Sequence, residues 1–145
     1  MANIVNQVIV SEGTKKAIVQ FYFESDGNEG EFKNKVIFDP STDFLVPYPL
    51  PIDPNSITKY PAPKVTILQI WSSASWFDMT IAYGGATIVP SVVVARDADF
   101  YLDFRYFGGL KDRTTDVPTG QILLSTKDFA PLGSNGFLVL ELKKD

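Results

Sequence analysis

The chain has 145 residues, a formal net charge of −4, no cysteine and no histidine. That length suits one domain with a real core, and the absent residue types exclude disulfides, thiol chemistry, an imidazole base and any Ser-His-Asp triad. The acidic balance argues against nucleic acid or an anionic membrane as partner, because Lys15-Lys16 and Lys143-Lys144 are too short to make a basic patch.

Aromatic residues make up 13% of the chain, with 11 Phe and 6 Tyr, a mix that favours strands over helices. Zinc could bind only through carboxylates. No apolar run approaches ~18 residues, so no transmembrane helix is expected. Met1 to Gln7 lacks the positive segment and apolar stretch of a signal peptide.

In chain order, Ile4 to Val10 is a short β-prone run, and Ser11 to Thr14 is a turn. Lys15 to Ser25 follows, apolar on both parities, which predicts a central strand covered on both faces. Asp26-Gly27-Asn28-Glu29-Gly30 is a loop with an Asp-Gly hairpin signal, and Phe32 to Asp39 reads as the return strand.

Pro40 to Pro63 differs in kind. Pro40, Pro47, Pro49, Pro51, Pro54, Pro61 and Pro63 are seven of the ten prolines in the chain. Proline cannot donate to a ladder and pushes its predecessor to extended conformations, so this is a long extended loop. Phe44, Leu45, Val46, Tyr48, Leu50, Ile52 and Tyr60 give it apolar surface that needs a partner. It is either a strap on its own sandwich or an arm that docks on a neighbouring subunit. Those seven residues are the candidate partner-binding set.

Lys64 to Ser72 resumes as a strand, apolar on both parities. Trp76 to Tyr83 alternates, with Phe77, Met79, Ile81 and Tyr83 on one side. Ile88 to Ala95 holds Pro90 and reads as an edge. Ala98 to Gly109 alternates Phe100, Leu102 and Phe104 against Asp99, Tyr101, Asp103 and Arg105, so its aromatic face is expected at the centre of the core. Gly84-Gly85 and Gly108-Gly109 are read as turns needing positive φ. Gly120 to Thr126 and Phe137 to Leu142 are the last two strands.

No window shows an apolar 3.6-residue period. Eight or nine short strands with regular turn signals predict an all-β fold. The expectation is a single β-sandwich over residues 1–145, jelly-roll or immunoglobulin-like, with the proline-rich loop 40–63 inserted in it.

Little in the chain points to chemistry. Asp26 to Glu31 has oxygen ligands at alternate positions, but its glycine spacing is wrong for an EF-hand, and a turn explains it. Asp97, Asp99 and Asp103 share a parity and suit a solvated strand face better than an acid/base pair. Trp71, Trp76 and Tyr83 could stack a sugar or a base, although core or subunit-interface packing explains such residues more often. No nucleophile has a recognisable setting. The expectation is therefore a non-enzyme with no catalytic residue, metal or cofactor.

Several stretches together resemble a family. They are Met1-Ala2-Asn3, Glu12-Gly13 before Lys16-Ala17-Ile18-Val19-Gln20, an acidic glycine loop leading to Val36-Ile37-Phe38-Asp39, Asp103-Phe104-Arg105-Tyr106-Phe107-Gly108-Gly109, Thr119 to Thr126, and Gly136 to Lys144. In this order and spacing the chain resembles small virion structural proteins of tailed bacteriophages, especially marine and cyanobacterial phages. The likeness covers most of the chain outside Pro40 to Pro63. It implies a virion part assembled in the host cytoplasm, whose partners are the major capsid protein or other virion subunits, with a homo-oligomer as a further option. The specific role, a capsid decoration (cement) protein, is inferred from the domain's make-up rather than from a motif. The alternatives are a neck, tail or fibre-associated protein and a carbohydrate-binding module.

Overall fold

A computed structural model of the chain describes residues 3–45, 65–74, 77–85, 88, 90–94 (backbone only), 99–112, 119–129 and 131–144. They form nine strands: β1 (Ile4–Glu12), β2 (Lys16–Glu24), β3 (Lys35–Phe38), β4 (Val65–Ala74), β5 (Asp78–Tyr83), β6 (Pro90–Val94), β7 (Asp99–Asp103), β8 (Ile122–Lys127) and β9 (Asn135–Lys144). Among the described residues the one helical element is a 3-10 turn, Arg105–Phe107.

The strands make two antiparallel sheets, ordered β1-β2-β9-β4-β7 and β3-β8-β5-β6. The chain changes sheet at every connection except β1 to β2 and β5 to β6. Two interlocked four-stranded sheets of this order, here with β1 added to one edge, are a jelly roll. The immunoglobulin-like option falls away.

Alternation drives the core. Ala17, Val19, Phe21 and Phe23 of β2 point inward, as do Leu138, Leu140 and Leu142 of β9, each at most 2% exposed. From the other sheet Phe77, Met79, Ile81, Tyr83, Ile122 and Leu124 meet them, as their parity predicts. Seven phenylalanines run ring to ring through the sandwich. Phe44, Phe38, Phe21, Phe23, Phe32, Phe129 and Phe77 have successive centroids 4.9, 6.4, 6.4, 6.2, 5.1 and 4.8 Å apart. Offset and edge-to-face rings at these spacings add specific attraction to the area they bury.

Four sequence expectations change. The Asp26–Gly30 loop is no hairpin, because β2 pairs with β1 and β9 while β3 pairs with β8 in the other sheet. The Asp-Gly signal reads the local bend, with Gly27 at φ 79° and Asp26 Oδ1 accepting from the backbone of Asn28 and Glu29, but not where the chain goes next. β2 is interior in its sheet yet buried on one face only. Its outward Ile18 and Tyr22 are half-buried, and Gln20 is exposed.

The Ala98–Gly109 stretch is the third change. Its strand ends at Asp103, and β7 is an edge. Asp103 Oδ1 accepts from the Arg105 backbone at 3.0 Å and bends the chain into the 3-10 turn. Phe100, Leu102 and Phe104 therefore pack on the core's flank, half-buried, and the centre belongs to β2, β9 and β4.

Beyond the turn the chain folds back over the outer face of β4. Leu110 pairs with Ile67. A Cβ on Gly109 (φ 96°) would strike the side chains of Thr66 and Leu68. That cover explains why β4 is buried on both parities, as expected from its sequence. A bulge at Leu68 keeps Val65, Ile67, Ile70 and Ala74 facing inward across the change of register. Gly84 is the fourth change: it needs no positive φ, and is glycine because a Cβ would meet the Thr119 side chain.

Candidate functional site

The outward face of the five-stranded sheet carries the side chains that the core does not use. Register sets them in rows. One row runs Val8, Gln20, Val139, Trp71, Tyr101, and the next runs Asn6, Tyr22, Phe137, Ser73, Asp99. Trp71 and Tyr101, directly opposite on β4 and β7, have ring centroids 5.4 Å apart and planes tilted by 36°. Phe137 of β9 joins them from the adjacent row. The three rings border one shallow concavity of about 480 Å³, with Ser73 and Asp99 also in its wall.

The rings are accessible. Tyr101 is 51% exposed and Phe137 42%, while Trp71 is half-buried. Tyr101 is also held in place, since its hydroxyl donates to Gln69 Oε1 and lies 3.4 Å from Asp103 Oδ2. Asp99 and Ser73 make no side-chain hydrogen bond with other described residues. Their oxygens are open to solvent or to a ligand.

Asp103 anchors the lower edge of this face. Its two oxygens take Arg105 Nε at 2.9 Å and Nη2 at 2.8 Å, a bidentate fork. Hydrogen bonds from the Arg105 side chain, then from its backbone, bring the Asp103 carboxyl down to about 2 and raise the guanidinium above its ordinary value. This carboxylate is fixed and ionised, not poised to move a proton.

Other sequence candidates separate. Tyr83 is buried, its hydroxyl donating to the Leu110 carbonyl at 2.7 Å and accepting from the Ile67 amide, so it stacks nothing from solvent. Trp76 and Asp97 lie outside the described residues. In the acidic loop, Glu29 holds the Asn3 amide and Glu31 holds Thr126 and Phe129, so these carboxylates brace the fold. No group of three or more acidic, histidine or cysteine side chains is arranged to hold a metal ion among the described residues. No described helix is long and apolar enough to cross a membrane.

Of the seven partner-binding candidates, Val46, Tyr48, Leu50, Ile52 and Tyr60 lie outside the described residues. Phe44 is used by its own domain. It packs edge-on against Phe38, and Lys144 Nζ sits 4.3 Å above its ring. Leu45 points out, 80% exposed, while its backbone amide donates to Glu12 Oε1 at 2.8 Å.

Sequence reasoning found Trp71 but not its companions. Tyr101 was on an outward parity, and Phe137 alternates against inward Leu138, Leu140 and Leu142. Only the strand order, β9-β4-β7, puts the three side by side. Compared with protein family models, with curated proteins and with solved structures, the chain has no match.

Proposed function

We propose that the chain is a structural virion protein that binds and stabilises a phage capsid surface, a decoration or cement role. Its partners on this reading are the major capsid protein or neighbouring virion subunits, and it is assembled into the particle in the host cytoplasm. The observation that carries the reading is the braced root of the proline-rich segment. Leu45 presents an exposed side chain from a backbone tied to Glu12, and Glu12 is itself ion-paired with Lys144. An apolar segment that leaves a rigid sandwich from a fixed point loses less entropy on docking than one leaving from a loose end. Its prolines restrict it further before it binds.

The sequence resemblance supports the same reading. The jelly roll agrees with it by analogy, since viral capsid proteins are among the hosts of this fold, although one fold serves many functions.

Localisation in purified particles tests the proposal. Hundreds of copies per particle, spread over the capsid, are expected. A dozen or so copies confined to the neck or tail would transfer the role to those structures, and absence from particles would end it. In addition, a chain lacking residues 47–61 should stay folded and bind particles much more weakly. If it unfolds instead, the segment is a strap for its own core.

A further inference from the structure

We propose that the outward face of the five-stranded sheet, at Trp71, Tyr101 and Phe137, is a binding site for an uncharged saccharide. The site goes beyond capsid attachment and uses residues outside the proline-rich segment.

Three observations converge. The first is the composition of the concavity. Its described lining holds aromatic rings, two serines and one carboxylate, and no aliphatic side chain. Rings alone offer flat, electron-rich faces, and the C–H groups of a pyranose carry the complementary partial positive charge.

The second is the open polar rim. Asp99 and Ser73 stand in the wall with no side-chain hydrogen bond to another described residue. A carboxylate facing an aromatic floor accepts strongly from sugar hydroxyls, and a serine hydroxyl can donate or accept. A few convergent polar groups over an apolar floor are the ordinary make-up of a small-ligand site.

The third is preorganisation and charge. Trp71, Tyr101 and Phe137 stand on paired strands, and Tyr101 is tied to Gln69 and Asp103, so little freedom is lost when a ligand settles on them. The described lining has a negative group and no cation, and the nearby Arg105 is already taken by Asp103. That charge repels sulfated, sialylated or uronic glycans and leaves uncharged ones.

The test is calorimetric titration of the whole chain with cellohexaose, mannohexaose, xylohexaose and chitohexaose, with a heparin oligosaccharide as the charged control. At least one uncharged probe should bind and heparin should not. Trp71→Ala and Tyr101→Ala should each weaken binding roughly tenfold or more, Trp71→Phe should retain part of it, and Asp99→Asn should weaken it without touching a ring. All these side chains face outward, and thermal melts would verify that each variant is folded. If Trp71→Ala fails to fold, Tyr101→Ala and Asp99→Asn carry the test.

The proposal is overturned if no uncharged probe binds at millimolar concentration, if heparin binds as well as they do, or if folded Tyr101→Ala and Asp99→Asn bind as the parent does. It is also overturned if the face is covered by a second copy, seen as a dimer in sedimentation that Tyr101→Ala dissociates. None of these outcomes bears on whether the chain is found on capsids, so the two proposals fail separately.

Discussion

Lys144 Nζ lies 2.9 Å from Glu12 Oε2, with the two side chains 0% and 4% exposed. The pair joins the end of β9 to the end of β1, strands separated by β2 in the sheet. The other Glu12 oxygen holds the Leu45 amide, and the ammonium group also covers the Phe44 ring. One buried ion pair thus ties the first strand, the last strand and the root of the proline-rich segment.

Removing one member of such a pair strands the other charge out of water. Lys144→Met should therefore cost about 3–5 kcal/mol of stability. Converting both partners, Glu12→Leu with Lys144→Met, should recover most of that loss, because desolvation of two charges offsets much of their attraction. Urea denaturation of the parent, the single variant and the double variant checks this. A double variant no more stable than the single one would show that the charges themselves are needed.

The Asp103–Arg105 fork predicts a response to acid. The Asp103 carboxyl is held at about 2, below its ordinary 3.8, chiefly by the Arg105 side chain. A depressed folded-state value favours the folded form above about 3.8, and that contribution fades as pH falls from there through about 2. The 3-10 turn Arg105–Phe107 should loosen over this window. Amide resonances of Arg105 and Gly108 followed by NMR from pH 5 down to about 1 should titrate with a midpoint near 2, and Asp103→Asn should abolish the titration.

How much of this molecule is legible in its sequence depends on the range of the signal. Alternation in β5 and β8 places Phe77, Met79, Ile81, Ile122 and Leu124 correctly, because a period of two is local. Pro90 marks β6 as an edge for an equally local reason, the missing amide hydrogen. Pairing is not local. Asp26-Gly27 has the chemistry of a hairpin and yet serves a crossover, because β2 finds β9 and β3 finds β8 far along the chain. The aromatic face is hidden for the same reason: Trp71, Tyr101 and Phe137 become neighbours only through long-range register. The Lys144–Glu12 pair spans 132 positions, and no residue near either one signals it.

The chain of phenylalanine rings implies unequal sensitivity to truncation. Phe129 is fully buried between Phe32 and Phe77, so Phe129→Ala should cost about 3–5 kcal/mol. Phe107 is 81% exposed, and Phe107→Ala should stay within about 0.5 kcal/mol. Both changes remove the same atoms, so comparing denaturation midpoints isolates burial. A large loss at Phe107 would mean that the 3-10 turn packs on the domain more tightly than its exposure indicates.

Gly109 is where the edge strand's turn closes onto β4, and a single methyl group should reopen it. Its backbone sits at φ 96°, where an L side chain is strained, and a Cβ would press on Thr66 and Leu68. Two backbone hydrogen bonds depend on this approach, Leu110 to the Ile67 carbonyl at 2.7 Å and Gly109 to the Phe104 carbonyl at 2.9 Å. Gly109→Ala should therefore cost about 1–3 kcal/mol for the backbone strain, with the steric clash in addition. Gly133 has a similar φ of 84° but open space around it, so Gly133→Ala should show the strain without the clash. Hydrogen exchange should then separate the two variants. Gly109→Ala should expose the Ile67 and Leu110 amides, whereas Gly133→Ala should leave them protected. Equal protection in both would mean that the β4 cover does not depend on the close approach of residue 109.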